Sequence, residues 1–297
     1  MTEKHPTAEA YKKEKTLACE TALVLLLEAF GTLKPTLRLI GGLVPRYLAP
    51  EAPPDVPEHI GTTDVDVVLD VAVLAAGEDY SSLRDQLKKA GFRRHTPNGK
   101  PPSSWQWACD VLGERIVVEF LINTDDPNEK GLVPLDGEDI SACRIPHAGL
   151  ASDWYLEQEL RIKRPDGDGT TIETVRHADA VAFIALKALA LEYRYERKDV
   201  ADLVHVLRYY KGAPDSIAAE FAERLATGKH ETPLRKALQV LEAKFCDDDF
   251  TPGHEKDGPG RYAAFHGIED PEERALELRN VSGLVTEFLR QVNKQSS

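Results

Sequence analysis

The sequence predicts an α+β protein: a mixed β-sheet flanked by helices over residues 1–170, followed by a helical half over residues 171–297. Three observations predict it. Short apolar runs of strand character recur in the first half, separated by Gly and Pro turns. Beyond Val175 the apolar residues adopt helical spacing almost throughout. Two of the strand runs carry carboxylates in their middle, at Asp64 and Asp66 and at Glu119, where a purely structural sheet has little use for them.

Taken in order, residues from about Ala8 to Gly31 read as a helix that the glycine ends. Thr36 to Ile40 is a short strand, stopped by Gly41-Gly42, and Val44 to Leu48 starts a short helix with Pro45 tolerated in its first turn. Ala49 to Gly61 is a Pro-rich loop and Asp64 to Asp70 a buried strand. Ser81 to Ala90 is an amphipathic helix closed by Gly91. Phe92 to His95, Ser104 to Asp110 and Arg115 to Ile122 are strands, the last two a hairpin around Leu112-Gly113. Pro127 to Gly149 has little pattern. Asp153 to Ile162 reads as strand, and Pro165 to Gly169 as a turn. Helices are expected at His177 to Arg194, Lys198 to Tyr210, Asp215 to Ala226, Thr232 to Phe245 and Pro271 to Asn293. Cys246 to Gly260, acidic and rich in Pro and Gly, is expected to be a mobile connection.

The 297 residues are 42% hydrophobic, enough to bury a core. Fifty acidic against 37 basic residues give a formal charge of −13, which excludes coating nucleic acid by bulk electrostatics. A polynucleotide partner would need a local basic patch, such as Arg93-Arg94-His95, the stretch Arg161 to Arg164 or Arg194 to Lys198. Cys19, Cys109, Cys143 and Cys246 lie far apart with no zinc spacing and read as reduced, mostly buried thiols, which suits a cytoplasmic protein. Thr21 to Phe30 is too short to span a membrane and carries Glu28, so no membrane partner is expected.

The chemistry concentrates at Gly41-Gly42 and Thr62-Thr63-Asp64-Val65-Asp66. Alternate strand residues share a face, so Asp64 and Asp66 point the same way. Two adjacent carboxylates repel, and a divalent cation with a preference for hard oxygen ligands relieves the cost. The glycines leave the backbone free to approach a phosphate. Glu119 is a candidate third carboxylate, the alternative being a salt bridge to Arg115 on its own face. Such a set fits two-metal phosphoryl chemistry, with Mg²⁺ (or Mn²⁺) held by Asp64, Asp66 and Glu119 and an NTP as co-substrate. Arg46, Thr62 and Thr63 stand where they could meet the nucleotide. In the helical half, Lys187 sits among apolar residues and either snorkels or points at an anion. Asp199 opens the next helix, so it is either a cap or, with Asp202, part of an ion pair to Lys187.

The series resembles the nucleotidyltransferase (polymerase-β-like) superfamily. Lys187-x-x-Ala190-x-x-x-Arg194 followed by Lys198-Asp199-x-x-Asp202 is similar to the AbiEii/AbiGii toxin branch, which includes the MenT toxins. With Gly41-Gly42 and Thr62-x-Asp64-x-Asp66, the family's four motifs occur in order over roughly residues 36 to 207. The resemblance implies that Asp64 and Asp66 bind metal, that Lys187 holds nucleotide phosphates with Arg194 nearby, and that Asp199 or Asp202 completes the catalytic set. It implies nucleotide transfer to an acceptor hydroxyl, in known cases at tRNA 3′ ends, by a toxin opposed by a cognate antitoxin or serving phage defence. Thr62 stands where serine is usual and keeps the hydroxyl. Lys198 stands where arginine is usual and keeps the charge but not the bidentate fork. The proline common at the start of the lysine helix is absent. Alternative readings are transfer to a small molecule or protein (AMPylation), a non-catalytic nucleotide-binding module, and an α/β scaffold with salt-bridged polar strands.

Overall fold

The structure is a computed structural model describing residues 5–70, 83–135, 140–165, 167 and 169–296. The chain forms two compact units. The described residues of Lys12–Val44 and Gly61–Asp179 make one, and those of Glu3–Tyr11, Pro45–Ile60 and Ala180–Ser297 make the other.

The first unit is a mixed sheet. Its strands are β1 (Leu37–Ile40), β2 (Asp64–Leu69), β3 (Arg93–Arg94), β4 (Gln106–Val111), β5 (Glu114–Thr124), β6 (Leu132–Pro134), β7 (Ser141–Pro146), β8 (Tyr155–Lys163) and β9 (Thr170–Ala178). They lie in the order β3-β4-β5-β2-β1-β9-β8. The long β5 is the spine. It pairs antiparallel with β4 through its first half and parallel with β7 through its second, and parallel with β2 on its other side. The β4–β5 hairpin turns at Leu112 and Gly113, both with positive φ (52° and 80°), the backbone that a two-residue turn between twisted strands demands.

Helix α1 (Lys13–Phe30) covers one face of the sheet. It packs Phe30 against Phe120 of β5 with ring centroids 5.8 Å apart, which fixes that face as the one bearing Val118 and Phe120. α1 is buried on most sides rather than along one stripe. With its 3₁₀ extension to Thr36 it is the one helix, among the described residues, long and apolar enough to cross a membrane by length and composition, and most of that stretch is buried within the protein. The sequence placed the apolar run at Thr21 to Phe30, below spanning length. The opposite face carries Asp64, Asp66 and Glu119 by strand alternation, and a short helix over Gly149–Asp153 packs against β1, β5 and β9.

Helix α2 (Val44–Leu48) starts at the last residue of this unit's first segment and otherwise belongs to the other unit; the remaining helices of this unit are one over Leu83–Lys89 and α3 (Gly149–Asp153). The expected helix at Ser81 to Ala90 lies partly outside the described residues, as do parts of the turn at Pro165 to Gly169. The Gly149 N–H donates to Asn123 Oδ1 at 2.8 Å, which seats α3 against β5.

The second unit is helical: α4 (Ala180–Tyr193), α5 (Arg197–Tyr209), α6 (Asp215–Ala226), α7 (Glu231–Phe245), α8 (Asp257–Phe265) and α9 (Pro271–Gln295). Three expectations are revised. His177 belongs to β9 rather than to the following helix, which starts at Ala180. Thr170–Ala178, whose residues before His177 carry no expected element, pairs antiparallel with Tyr155–Lys163, Lys163 facing Thr170 and Tyr155 facing Ala178. The β-branched run Thr170-Thr171-Ile172 and Thr174-Val175 explains the strand. The supposed mobile connection at Cys246 to Gly260 instead enters α8. Pro259 sits in the first turn, where its missing N–H is harmless, and a Cβ at Gly258 would lie within 2.6 Å of Phe245 Cδ1. Glycine there serves close helix packing rather than mobility.

Candidate active site

Asp64 opens β2 and Asp66 follows two residues on, so both carboxylates leave the same face. The parallel register sets Asp66 beside Glu119, and the antiparallel register sets Ile40 beside Asp66. Gly41 follows directly after Ile40 with φ +76°, a conformation L side chains rarely adopt. A Cβ there would lie 3.0 Å from Asp66 Cγ and overlap Oδ2. The glycine is therefore required twice, once by backbone conformation and once because the Asp66 carboxylate occupies the space. Gly42 is buried in the 3₁₀ turn Gly41–Leu43 that leads into α2. α2 has only five residues, too short a helix for its dipole to act strongly on a phosphate.

Asp64 is 2% exposed and Glu119 1%, while Asp66 is half-buried. The Thr62 hydroxyl donates to Asp64 Oδ1 at 2.9 Å, and the Thr62 N–H donates to the Thr16 hydroxyl of α1 at 3.2 Å. Thr62 thus fixes the carboxylate while being fixed itself. Thr63 is buried beside it. Gln106 faces Glu119 across the β4–β5 ladder and donates Nε2–H to Glu119 Oε1 at 2.9 Å. The salt bridge weighed for Arg115 forms elsewhere: Arg115 lies 3.9 Å from Asp110 at the surface. Burial, with Asp64 adding its charge, pushes the Cys19 thiol well up. Burial likewise pushes Cys109 up to about 12. Cys19, Cys109 and Cys246 are buried, Cys143 is half-buried, and none forms a disulfide.

The donor chemistry at Asp64 and Asp66 suits a hard divalent cation. Among the described residues no group of three His, Cys, Asp or Glu side chains is placed to hold a metal, so Glu119 does not close a three-ligand cage. Mg²⁺ does not need one, because it is commonly held by one or two carboxylates with phosphate and water oxygens completing the shell.

The other sequence-derived residues lie in the helical unit. Arg46 of α2 pairs with Glu58 at 2.9 Å. Lys187 of α4, 5% exposed, donates to Asp199 Oδ1 at 2.7 Å and Asp202 Oδ2 at 2.8 Å, both on α5. Arg194 grips Asp199 with two bonds, Nε to Oδ2 at 2.7 Å and Nη2 to Oδ1 at 2.9 Å. Lys198 reaches Asp202 Oδ1 at 2.6 Å. Asp199 is not a cap: the residue before α5 is Glu196, no side chain caps it, and Asp199 is the third helical residue. Lys187 neither snorkels nor presents its ammonium outward. The structure gathers these motif residues into a buried ion network of three cations and two carboxylates.

His59 was not anticipated from the sequence. Its Nε2 lies 2.9 Å from Asp202 Oδ1. Burial lowers its pKa despite Asp202, so it sits neutral and donates a hydrogen bond rather than forming an ion pair. Burial alone would raise the Asp202 carboxyl, but Lys187 and Lys198, aided by His59, hold it well below the usual range. A lone His in a Pro-rich loop carries no sequence signal of such a partner.

No family model matches the chain, and no curated protein matches it. Among solved structures it is similar to "Crystal structure of putative nucleotidyltransferase from H. pylori", with 12% identity, a TM-score of 0.28, and coverage of 95% of this chain and 98% of that one. At that identity and score the likeness carries no argument about fold or activity.

Proposed function

We propose that the chain is a divalent-metal-dependent nucleotidyltransferase whose working groups stand on the sheet. The observation that carries the reading is the Gly41–Asp66 arrangement. A glycine turn of otherwise costly backbone conformation wraps a carboxylate that shares a strand face with Asp64 and a register with Glu119. Mg²⁺ bound at Asp64 and Asp66 would neutralise charge on the triphosphate and on the departing pyrophosphate. Thr62 keeps Asp64 oriented. Glu119, oriented by Gln106, is the group proposed to take the proton from the acceptor hydroxyl, whose oxygen bonds to the α-phosphorus as the bond to pyrophosphate breaks. Lys187, Arg194, Asp199 and Asp202 enter as a buried scaffold of the helical unit, because their charges are spent on one another. The proposed acceptor is a tRNA 3′ end, with a toxin role opposed by an antitoxin, following the resemblance of the four motifs. The net charge of −13 favours a second reading, transfer to a protein or small molecule.

The test is incubation with each of four α-labelled NTPs and Mg²⁺, with and without total tRNA, against an Asp64→Ala/Asp66→Ala control. Label on RNA with the wild-type protein alone supports tRNA transfer and names the base. Label on protein supports the second reading. Transfer that survives the double substitution removes the site assignment.

A further inference from the structure

Strand β8 ends the sheet, and among the described residues its neighbour is β9 alone. It runs nine residues without proline, nearly all exposed. Natural sheets rarely leave so long an edge, because its outward N–H and C=O groups template pairing with another chain. The backbone phase along this edge is defined. The Trp154 carbonyl accepts from Asp179 N–H, and Arg164 N–H donates to Gly169, both on the β8–β9 register. The even-numbered residues of β8 therefore bond β9, and Tyr155, Glu157, Glu159, Arg161 and Lys163 turn their backbone groups outward.

The same odd-numbered residues carry an ordered charge pattern: Glu157 and Glu159, then Arg161 and Lys163. Across the ladder, β9 sets Arg176 against Glu157, which it pairs at 2.8 Å, but Thr174 against Glu159, Ile172 against Arg161 and Thr170 against Lys163, so it offers these last three no opposite charge. Scattered charges on an edge strand discourage pairing. Charges segregated by sign along the strand do the opposite for one partner, an antiparallel copy of the same strand.

We propose that β8 pairs antiparallel with β8 of a second copy of this chain, joining two sheets about a two-fold axis at Leu160. That register places Glu159 opposite Arg161 and Glu157 opposite Lys163, each pair twice, with all four residues in the outward-bonding phase. Leu160 meets its own copy as a non-hydrogen-bonded pair on the other face. Sliding the register by two residues sets Glu159 against Glu159 and keeps only Glu157 opposite Arg161, half of the match. A single strand pair buries less than the roughly 1,600 Å² of a standard interface, so the dimer forms on the order of micromolar concentration and weakens with salt. The net charge of −13 opposes association at long range, which makes local matching decisive.

The test is analytical ultracentrifugation of the full chain over a concentration series. Two charge variants are compared, Glu157→Lys/Glu159→Lys and Arg161→Glu/Lys163→Glu, with circular dichroism to confirm that each folds. Each alone is expected to raise the dimer Kd by about tenfold or more, since four opposite-charge pairs become like-charge pairs. Mixing the two variants is expected to restore a dimer, which a folding defect could not do. Leu160→Cys is expected to cross-link on oxidation, because a non-hydrogen-bonded pair brings its Cα atoms to about 4.5 Å. A wild-type monomer at every concentration overturns the proposal. So does a dimer indifferent to both variants, or a mixture that stays monomeric.

Discussion

The carboxylates of the sheet and those of the helical unit were reached by the same kind of motif, yet they stand in different surroundings. Asp64 and Glu119 accept hydrogen bonds from neutral groups, the Thr62 hydroxyl and the Gln106 amide. Asp199 and Asp202 are gripped by Lys187, Arg194 and Lys198. A hydrogen bond from a neutral donor orients a carboxylate without cancelling its charge, whereas cations closed around a carboxylate in the interior compensate it. The comparison teaches that acidic residues with equal sequence signals differ in the partners that orient them, which is the basis for the proposed division into a site and a scaffold.

The sharpest way to break this division is to remove one charge from the scaffold. Lys187→Ala leaves Asp199 and Asp202 under-compensated in the interior and is expected to destabilise the protein by about 3–5 kcal/mol, read by chemical denaturation. A stable Lys187→Ala protein that has lost only activity would move Lys187 into the site. On the sheet, Asp66→Ala is expected to lower nucleotide transfer by about 100-fold or more while leaving the melting temperature unchanged or raised, because it removes a repulsion. Kinetics alongside calorimetry separates the two effects. Gly41→Ala adds a Cβ against the Asp66 carboxylate and forces an alanine into left-handed backbone, costing about 1–2 kcal/mol in strain. It is expected to reduce transfer through displacement of Asp66, so pairing it with Asp66→Ala should produce no further loss.

The smallest effect is in pH. Burial, with His59 adding to it, pushes His205 down to about 4 from an ordinary 6.5. The folded state therefore refuses a proton that the unfolded chain accepts. Its contribution is complete above 6.5 and is lost as pH falls toward about 4. Asp202, held low, keeps its full contribution above its ordinary 3.8 and loses it as pH falls from there toward the folded value. Thermal melts between pH 7.5 and 4 should show early loss from histidine, and His205→Phe should flatten that part of the curve.

Much of this was legible in the sequence where the signal is local. The Asp64 strand, the Gly41-Gly42 stop, the Leu112-Gly113 hairpin and the helix Asp215–Ala226 follow from alternation, glycine and helical period. What was missed depends on distant partners. Gly258 and Pro259 read as loop, and only the Phe245 ring packed where a Cβ would stand explains a glycine inside that helix. Thr170–Ala178 pairs with Tyr155–Lys163, a match no single strand announces. In the candidate site, the shared face of Asp64 and Asp66 was readable from a period of two. The ion pair of Lys187 with Asp199 and Asp202 was one of the readings the sequence offered, whereas the Gln106–Glu119 bond and the role of His59 arise from register and packing, which spacing does not encode.

The most direct test is metal-dependent pyrophosphate release from NTP by the wild-type protein and by Asp64→Asn/Asp66→Asn, with thermal stability measured on the same samples. The account predicts release by the wild type with Mg²⁺, and its loss in the variant at an undiminished melting temperature. Release that persists in a folded variant would contradict it.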